Sequence, residues 1–367
     1  MKNKTVALYD PFLNTLGGGE KHILSIMEVF AEQGYEINIF WDKNLSKEIK
    51  DRFSFQFIDK LKWLPNIFKQ SSSSALKTLR TLKTFNYFFY VTDGSYFLSG
   101  AKNNFIFCMV PDKKLYDLNL LNRLKLWNYK FISNSPFTTK WLTKWNIDPI
   151  TITPCIDSKL FTNNNLNKEK IILSVGRFFS HLHNKNHEKI IEAYRSLKQA
   201  SPLFSDYKLI LAGGLNKEDS EYFDRLKKIA GKDDSIIFNP NIKLYELYKL
   251  YELSDYFWHF TGYEVDENVH PEQVEHFGIT PIEAMASGCL TFCYNAGGPK
   301  GIINEGKNGF LFNSIDDLIQ KMIVIESNPE QKGKIHLNSR LFTEKYFSYE
   351  VFKDLVFKNI FDNIRHG

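Results

Sequence analysis

The 367-residue chain contains no uninterrupted apolar run of the roughly 18 residues that a membrane-spanning helix requires. Cysteine is scarce. Cys108, Cys155, Cys289 and Cys293 stand in apolar, strand-like settings without C-x-x-C spacing, which argues against a zinc site and for buried free thiols in a reducing compartment. The apolar residues after Met1-Lys2-Asn3-Lys4 end at Asp10-Pro11, too short a run for a signal-peptide core, so a cytoplasmic location is expected. Zinc-finger, RNP and helix-turn-helix patterns are missing, and nucleic acid ranks last among candidate partners. Acidic residues are absent from Lys60 to Thr92, a stretch holding Lys60, Lys62, Lys69, Lys77, Arg80 and Lys83 with Trp63 and Phe68 among them. Such a segment predicts either an ordinary solvated surface or a contact with an anionic membrane through residues 60–83.

Charged residues make up 24% of the chain and hydrophobic ones 43%, which describes a globular protein large enough for two domains. Short apolar runs alternate with amphipathic stretches, the pattern of βα units and a mainly parallel sheet. Strands are expected at Val6–Tyr9, Ile37–Trp41, Tyr87–Val91, Phe105–Met109 and Lys130–Ile132. A second series runs through Ile171–Val175, Leu209–Ala212, Ile236–Phe238, Tyr256–Phe260 and Leu290–Phe292. Between the two lies the polar stretch Asp157–Lys168, which reads as a linker. Domains are therefore expected over 1–160 and 161–348. The apolar stripe of Phe352, Leu355, Val356, Ile360 and Phe361 predicts a last helix over 349–364.

Four motifs carry chemistry. Glu275 and Glu283 stand eight positions apart around Phe277-Gly278-Ile279-Thr280, where Gly278 breaks a loop from a helix that begins near Pro281. A loop of this kind aims backbone N–H groups at one spot, which suits phosphate, although a capped surface helix with two solvated glutamates would fit the pair alone. As a loop carboxylate, Glu275 should matter little to the core. Gly17-Gly18-Gly19 follows the first strand and opens a helix, and such a turn lets backbone approach a ligand closely. Arg177 ends a strand, and Lys185 precedes the helix His187–Leu197, together offering two cations to a diphosphate. Asn239-Pro240-Asn241-Ile242 closes another strand, and the acidic loop Glu264–Glu272 reads as solvated rather than metal-binding.

With Ala296-Gly297-Gly298-Pro299 and Asn308-Gly309-Phe310 downstream, the Glu275…Glu283 spacing resembles the E-x7-E of the family 4 retaining nucleotide-sugar glycosyltransferases. Val175-Gly176-Arg177 with Lys185-Asn186-His187-Glu188, and Gly17-Gly18-Gly19-Glu20, match further motifs of that family. The resemblance covers nearly the whole chain, least well over 43–102. It implies an α/β protein of GT-B architecture, two Rossmann-like domains facing a central cleft, with the last helix crossing back to the first. It also implies transfer of a hexose from a UDP- or GDP-sugar to a glycan or lipid-linked acceptor, without a cofactor or metal. Glu275, Arg177 and Lys185 would then be catalytic. Gly17, Gly18, Gly19, Ile242, Phe277, Gly278, Ile279, Thr280 and Glu283 would hold the donor, with Glu283 on its ribose. One departure stands out: aligned on Pro111-Asp112, the family's sugar-contacting histidine is Met109, which cannot donate a hydrogen bond. Either a neighbour such as Asp112 takes over that contact or the donor's contacts differ here, and the loss keeps open the alternative of a catalytically impaired nucleotide-sugar-binding protein of the same fold.

Overall fold

The structure is a computed structural model and describes residues 4–68, 75–161, 168–179 and 184–362. It divides into two compact units, Met1–Cys155 with Phe352–Gly367, and Ile156–Val351. The division falls five residues ahead of the expected 160/161 boundary because Ile156 and Leu160 are buried in the second unit's core, and Ile156 N donates to Phe347 O at 2.8 Å.

The first unit holds a seven-stranded sheet made of β1 (Thr5–Tyr9), β2 (Glu36–Phe40), β3 (Lys62–Leu64), β4 (Tyr87–Val91), β5 (Asn103–Cys108), β6 (Tyr129–Ser133) and β7 (Pro149–Thr151). Their order is β3-β2-β1-β4-β5-β6-β7, and every pairing is parallel. All five residues of β4 are buried, as expected of a strand covered on both faces, which is why it reads as a continuous apolar run. The second unit's sheet comprises β8 (Glu169–Val175), β9 (Lys208–Gly213), β10 (Ile236–Pro240), β11 (Ser254–His259), β12 (Leu290–Tyr294) and β13 (Phe310–Phe312). Its order is β10-β9-β8-β11-β12-β13, again wholly parallel. Chain order reverses between β1 and β4 in one sheet and between β8 and β11 in the other. Ligands of open α/β sheets bind beyond the strand ends at such points.

The strands that the apolar pattern did not announce are β3, β7 and β13, three-residue edge strands. Edge position leaves β3 and β7 only partly buried, β13 is just three residues long, and β7 begins with Pro149, which only an edge or a strand start tolerates. After the helix Tyr349–Val356 comes a π turn, Phe357–Phe361. Phe352 packs near His22 at 5.8 Å and Phe361 on Phe30 at 4.7 Å between ring centres, both within the first unit. Among the described residues no helix is long and apolar enough to cross a membrane. All four cysteines are buried and free, and burial pushes the thiols of Cys155 and Cys289 up to about 11.

In the acid-free segment, where either a solvated surface or a membrane contact is expected, the aromatic side chains are engaged within the fold. Trp63 is half-buried and donates its indole N–H to Ser46 Oγ at 3.0 Å, while Phe68 stacks on Tyr9 at 4.2 Å. Lys62 pairs with Glu36 at 2.6 Å. The aromatic residues thus turn inward, and Lys69 with 70–74 lies outside the described residues.

Candidate functional site

In the second unit the ends of β8 and β11 meet a buried carboxylate. Lys185 Nζ donates to Glu275 Oε2 at 2.9 Å, and His259 Nε2 stands 2.9 Å from the same oxygen. Both members of the Lys185–Glu275 pair are 19% exposed, and His259 only 2%. Burial alone would raise the Glu275 carboxyl, but the Lys185 charge and the His259 hydrogen bond more than offset it and hold the group well below its ordinary 4.5. Burial dominates at His259 and lowers its imidazole from 6.5 against the pull of Glu275. The ring is therefore neutral at pH 7 and donates Nε2–H to the carboxylate. The other carboxylate oxygen, Oε1, has no hydrogen-bond partner among the described residues. Glu275 is thus a fixed anion with one accepting oxygen to spare. It is also part of a buried ion pair, which overturns the expectation that this loop carboxylate is unimportant to the core.

Glycines make the convergence possible. A Cβ on Gly176 would lie 2.5 Å from Lys185 Cγ, so the bare backbone at the end of β8 lets the lysine stem pass over it. Asn186 takes a left-handed conformation (φ 54°) and donates to Phe260 O at 2.8 Å, tying the start of the helix His187–Ala200 to the end of β11. On the other side, Gly298 N donates to Glu275 O at 2.7 Å. Gly297 (φ 65°) would place a Cβ 2.1 Å from that same carbonyl. Gly297 N in turn donates to Glu267 Oε2 at 2.6 Å, and Glu267 pairs with Lys300 at 2.8 Å. Part of the acidic loop is therefore a brace for the Gly-Gly turn. Replacing Gly297 by alanine is expected to cost more than about 2 kcal/mol, because the backbone clash adds to the strain of a positive φ. Thermal unfolding checks this: the variant should melt several degrees lower and lose turnover with it.

Gly278 (φ 108°) starts the helix Ile279–Ala286. The first amides of that helix, Ile279 and Thr280, have no intrahelical acceptor, and they form the positive end expected to take phosphate. Phe277 is core, 5% exposed with its ring 5.7 Å from Phe347, so only its backbone is available to a ligand. Glu283 is buried and accepts from Tyr251 OH at 3.2 Å. Ile242 is partly buried against the same apolar cluster as Tyr251 and Ile282, held by Asn241, which receives Leu215 N and returns a bond to Leu215 O. Arg177 is exposed, its guanidinium 4.7 Å from the Phe179 ring centre, and it makes no ion pair among the described residues.

The remaining candidates lie in the first unit. Gly17 and Gly18 start the helix Gly18–Glu32, and Glu20 accepts from Gly17 N and Thr15 Oγ1, both at 2.6 Å. A Cβ on Gly19 would lie 2.1 Å from the Met109 sulfur, so this glycine is required by the methionine at the end of β5. Asn134 Nδ2 fixes the Met109 carbonyl at 3.0 Å, and Asp112 caps the short turn Lys113–Tyr116 by accepting from Lys114 N. Asp112 has a local structural task, then, beside any ligand contact.

Two groups escaped the sequence reading. His259 is hidden in an aromatic strand, Tyr256-Phe257-Trp258-His259-Phe260, where its only signal is a position at the strand's C-terminal end. Asp10 follows β1 and is fully buried. Its Oδ1 accepts from Phe12 N at 2.9 Å, while Oδ2 has no partner among the described residues. Burial, with the nearby Glu20 charge, raises this carboxyl well above 3.8. The folded state therefore binds more protons than the unfolded state above pH 3.8, and the contribution of Asp10 to stability falls as pH rises from there towards its folded value. Asp10→Asn is expected to close that gap, so its melting temperature should gain on the parent between acid and neutral pH.

The model of the glycosyl transferases group 1 family matches residues 157–342, just over half of the chain. A Xenopus laevis GDP-Man:Man(3)GlcNAc(2)-PP-Dol alpha-1,2-mannosyltransferase is 32% identical over 193 residues, 50% of this chain and 37% of that protein. A Rhizomucor pusillus alpha-1,3/1,6-mannosyltransferase is 26% identical over 206 residues, 51% of this chain and 44% of that protein. The chain thus spans roughly two fifths of the length of these curated relatives. Among solved structures, a glycosyltransferase from Rickettsia africae superposes with a TM-score of 0.75 at 19% identity, covering 99% of this chain and 100% of its own. Anabaena HepE, solved with UDP and glucose, gives 0.72 at 15%, covering 98% and 99%. These likenesses show the GT-B fold. With the family model matched over the unit that holds Glu275, Lys185 and Arg177, this chain belongs to the glycosyl transferases group 1 family.

Proposed function

We propose that this chain is a retaining hexosyltransferase that takes its sugar from a GDP- or UDP-sugar and passes it to a hydroxyl of a glycan or lipid-linked acceptor. The observation that carries this reading is the Glu275 carboxylate, fixed as an anion by Lys185 and His259 beside the ends of β8 and β11. The Xenopus laevis relative, named for GDP-Man, favours GDP-mannose among the donors. In transfer, negative charge grows on the departing diphosphate. Arg177 supplies a fork-shaped cation, Lys185 a point charge, and the Ile279 and Thr280 amides fixed dipoles. Glu275 Oε1 accepts from hydroxyls of the sugar and orients its anomeric carbon. The nearest base to the incoming acceptor hydroxyl is then the leaving phosphate itself, on the same face, which gives retention. Glu283 would need to exchange its Tyr251 contact for a ribose hydroxyl.

The test is to incubate the full chain with GDP-mannose, UDP-glucose and related donors plus a lipid-linked acceptor, and to read the product anomer by proton NMR. An α-linked product from an α-donor is expected; a β-linked product would exclude retention. Nucleotide binding without product from any donor would favour the impaired alternative that Met109 raises. Because side chains and amides neutralise the diphosphate, turnover should persist in EDTA. Loss in EDTA that Mg²⁺ or Mn²⁺ restores would count against a metal-free centre.

A further inference from the structure

Between β5 and β6 the first unit exposes a surface that its packing does not use. The helix Leu120–Lys125 follows an Asn119 cap and is succeeded by Trp127. Leu120 is 75% exposed, Leu121 70%, Leu124 61% and Trp127 77%. At about 100° per residue the three leucines fall within one outward stripe roughly 100° wide, and the neighbouring Leu126 turns inward to the core. Single exposed leucines are ordinary, but four large apolar side chains within eight residues form a patch that calls for a partner.

The charges around the patch say which partner. Arg123 and Lys125 flank the leucine stripe on either side, and exposed Lys113 and Lys114 precede it. Counting Lys130, residues 112–130 carry five cations against two acids, Asp112 and Asp117. We propose that this leucine–tryptophan surface docks the protein on an anionic lipid bilayer, lying in the interface plane with its apolar side chains among the acyl chains and its cations at the headgroups. The composition is that of an interfacial helix: leucines on one face, basic residues at its margins, and a tryptophan whose ring suits the headgroup level. A second copy of the chain fits less well, because a two-fold contact would set these cations against themselves. Residues 60–83 fit less well too, since Trp63 and Phe68 are engaged inside the fold.

Flotation of the full chain with vesicles of phosphatidylcholine containing about one third phosphatidylglycerol tests this without any readout of transfer, so its failure leaves the proposed activity untouched. The parent should float with these vesicles and far less with pure phosphatidylcholine or in high salt. The double variant Leu121→Glu/Trp127→Glu should bind at least about tenfold less while melting at the parent's temperature, because both side chains lie in solvent. Arg123→Gln/Lys125→Gln should lose roughly fivefold per charge. Lys62→Gln/Lys77→Gln/Arg80→Gln should float much as the parent does. The proposal is overturned if the parent fails to float, or if the leucine–tryptophan variant floats unchanged. It is equally overturned if that variant instead abolishes a concentration-dependent dimer of the parent in light scattering, which would make a second copy the occupant.

Discussion

Replacing Glu275 by alanine should lower turnover by about 10²–10³-fold, the scale on which a single preorganised polar contact to the reacting group acts. Loss of the proposed contact with the sugar accounts for part of this. The rest comes from Lys185 and His259, which lose the anion that holds them in place. Stability should fall as well, because alanine leaves the Lys185 ammonium largely buried without its partner. Glu275→Gln separates the two effects. The amide oxygen still accepts from Lys185, so the melting temperature should recover much of the loss, while turnover stays low because the fixed negative charge is gone. Steady-state rates and melting curves of the two variants decide the matter. Near-parental turnover in Glu275→Gln would remove the carboxylate from the chemistry.

Arg177→Ala should weaken nucleoside diphosphate binding by about 10- to 100-fold, the equivalent of one lost charge-assisted hydrogen bond of roughly 1.5–3 kcal/mol. The variant reports cleanly because the guanidinium is exposed and has no ion pair among the described residues. Its removal costs the fold little beyond a contact with Phe179. Calorimetric titration with GDP and UDP measures the effect. An unchanged dissociation constant for both would mean that the arginine does not reach the diphosphate. Lys185→Ala should weaken binding too, but with a drop in melting temperature, since it strips Glu275 of its cation.

The legibility of this molecule followed the range of its interactions. The central strands could be read because parallel strands covered on both faces are apolar throughout, as in Tyr87–Val91. The three edge strands could not, being only three residues long. Glycine motifs were visible because close backbone approach demands glycine. Gly19 under Met109, Gly176 under Lys185 and Gly297 against Glu275 each leave no room for a Cβ. What those approaches bring together was invisible. Lys185 and Glu275 are 90 residues apart, and nothing local announces their pairing. His259 lay unnoticed among aromatic residues for the same reason. At 60–83 the run of cations gave no sign that the aromatics among them, Trp63 and Phe68, are engaged within the fold. The segment 112–130 drew no notice because Asp112 and Asp117 dilute its charge and its exposed leucines look like core until they are folded.

The central claim is that the strand ends of β8 and β11, with Arg177 and Lys185, receive the diphosphate of a nucleotide-sugar. Phosphorus NMR of GDP and of UDP titrated with the full chain tests it most directly. The predicted result is a saturable shift and broadening of the β-phosphorus resonance for at least one of the two nucleotides. That response should be much reduced in Arg177→Ala and in Lys185→Ala, and retained in Leu121→Glu/Trp127→Glu. A saturable response that persists undiminished in both cation variants, or no response to either nucleotide, would contradict it.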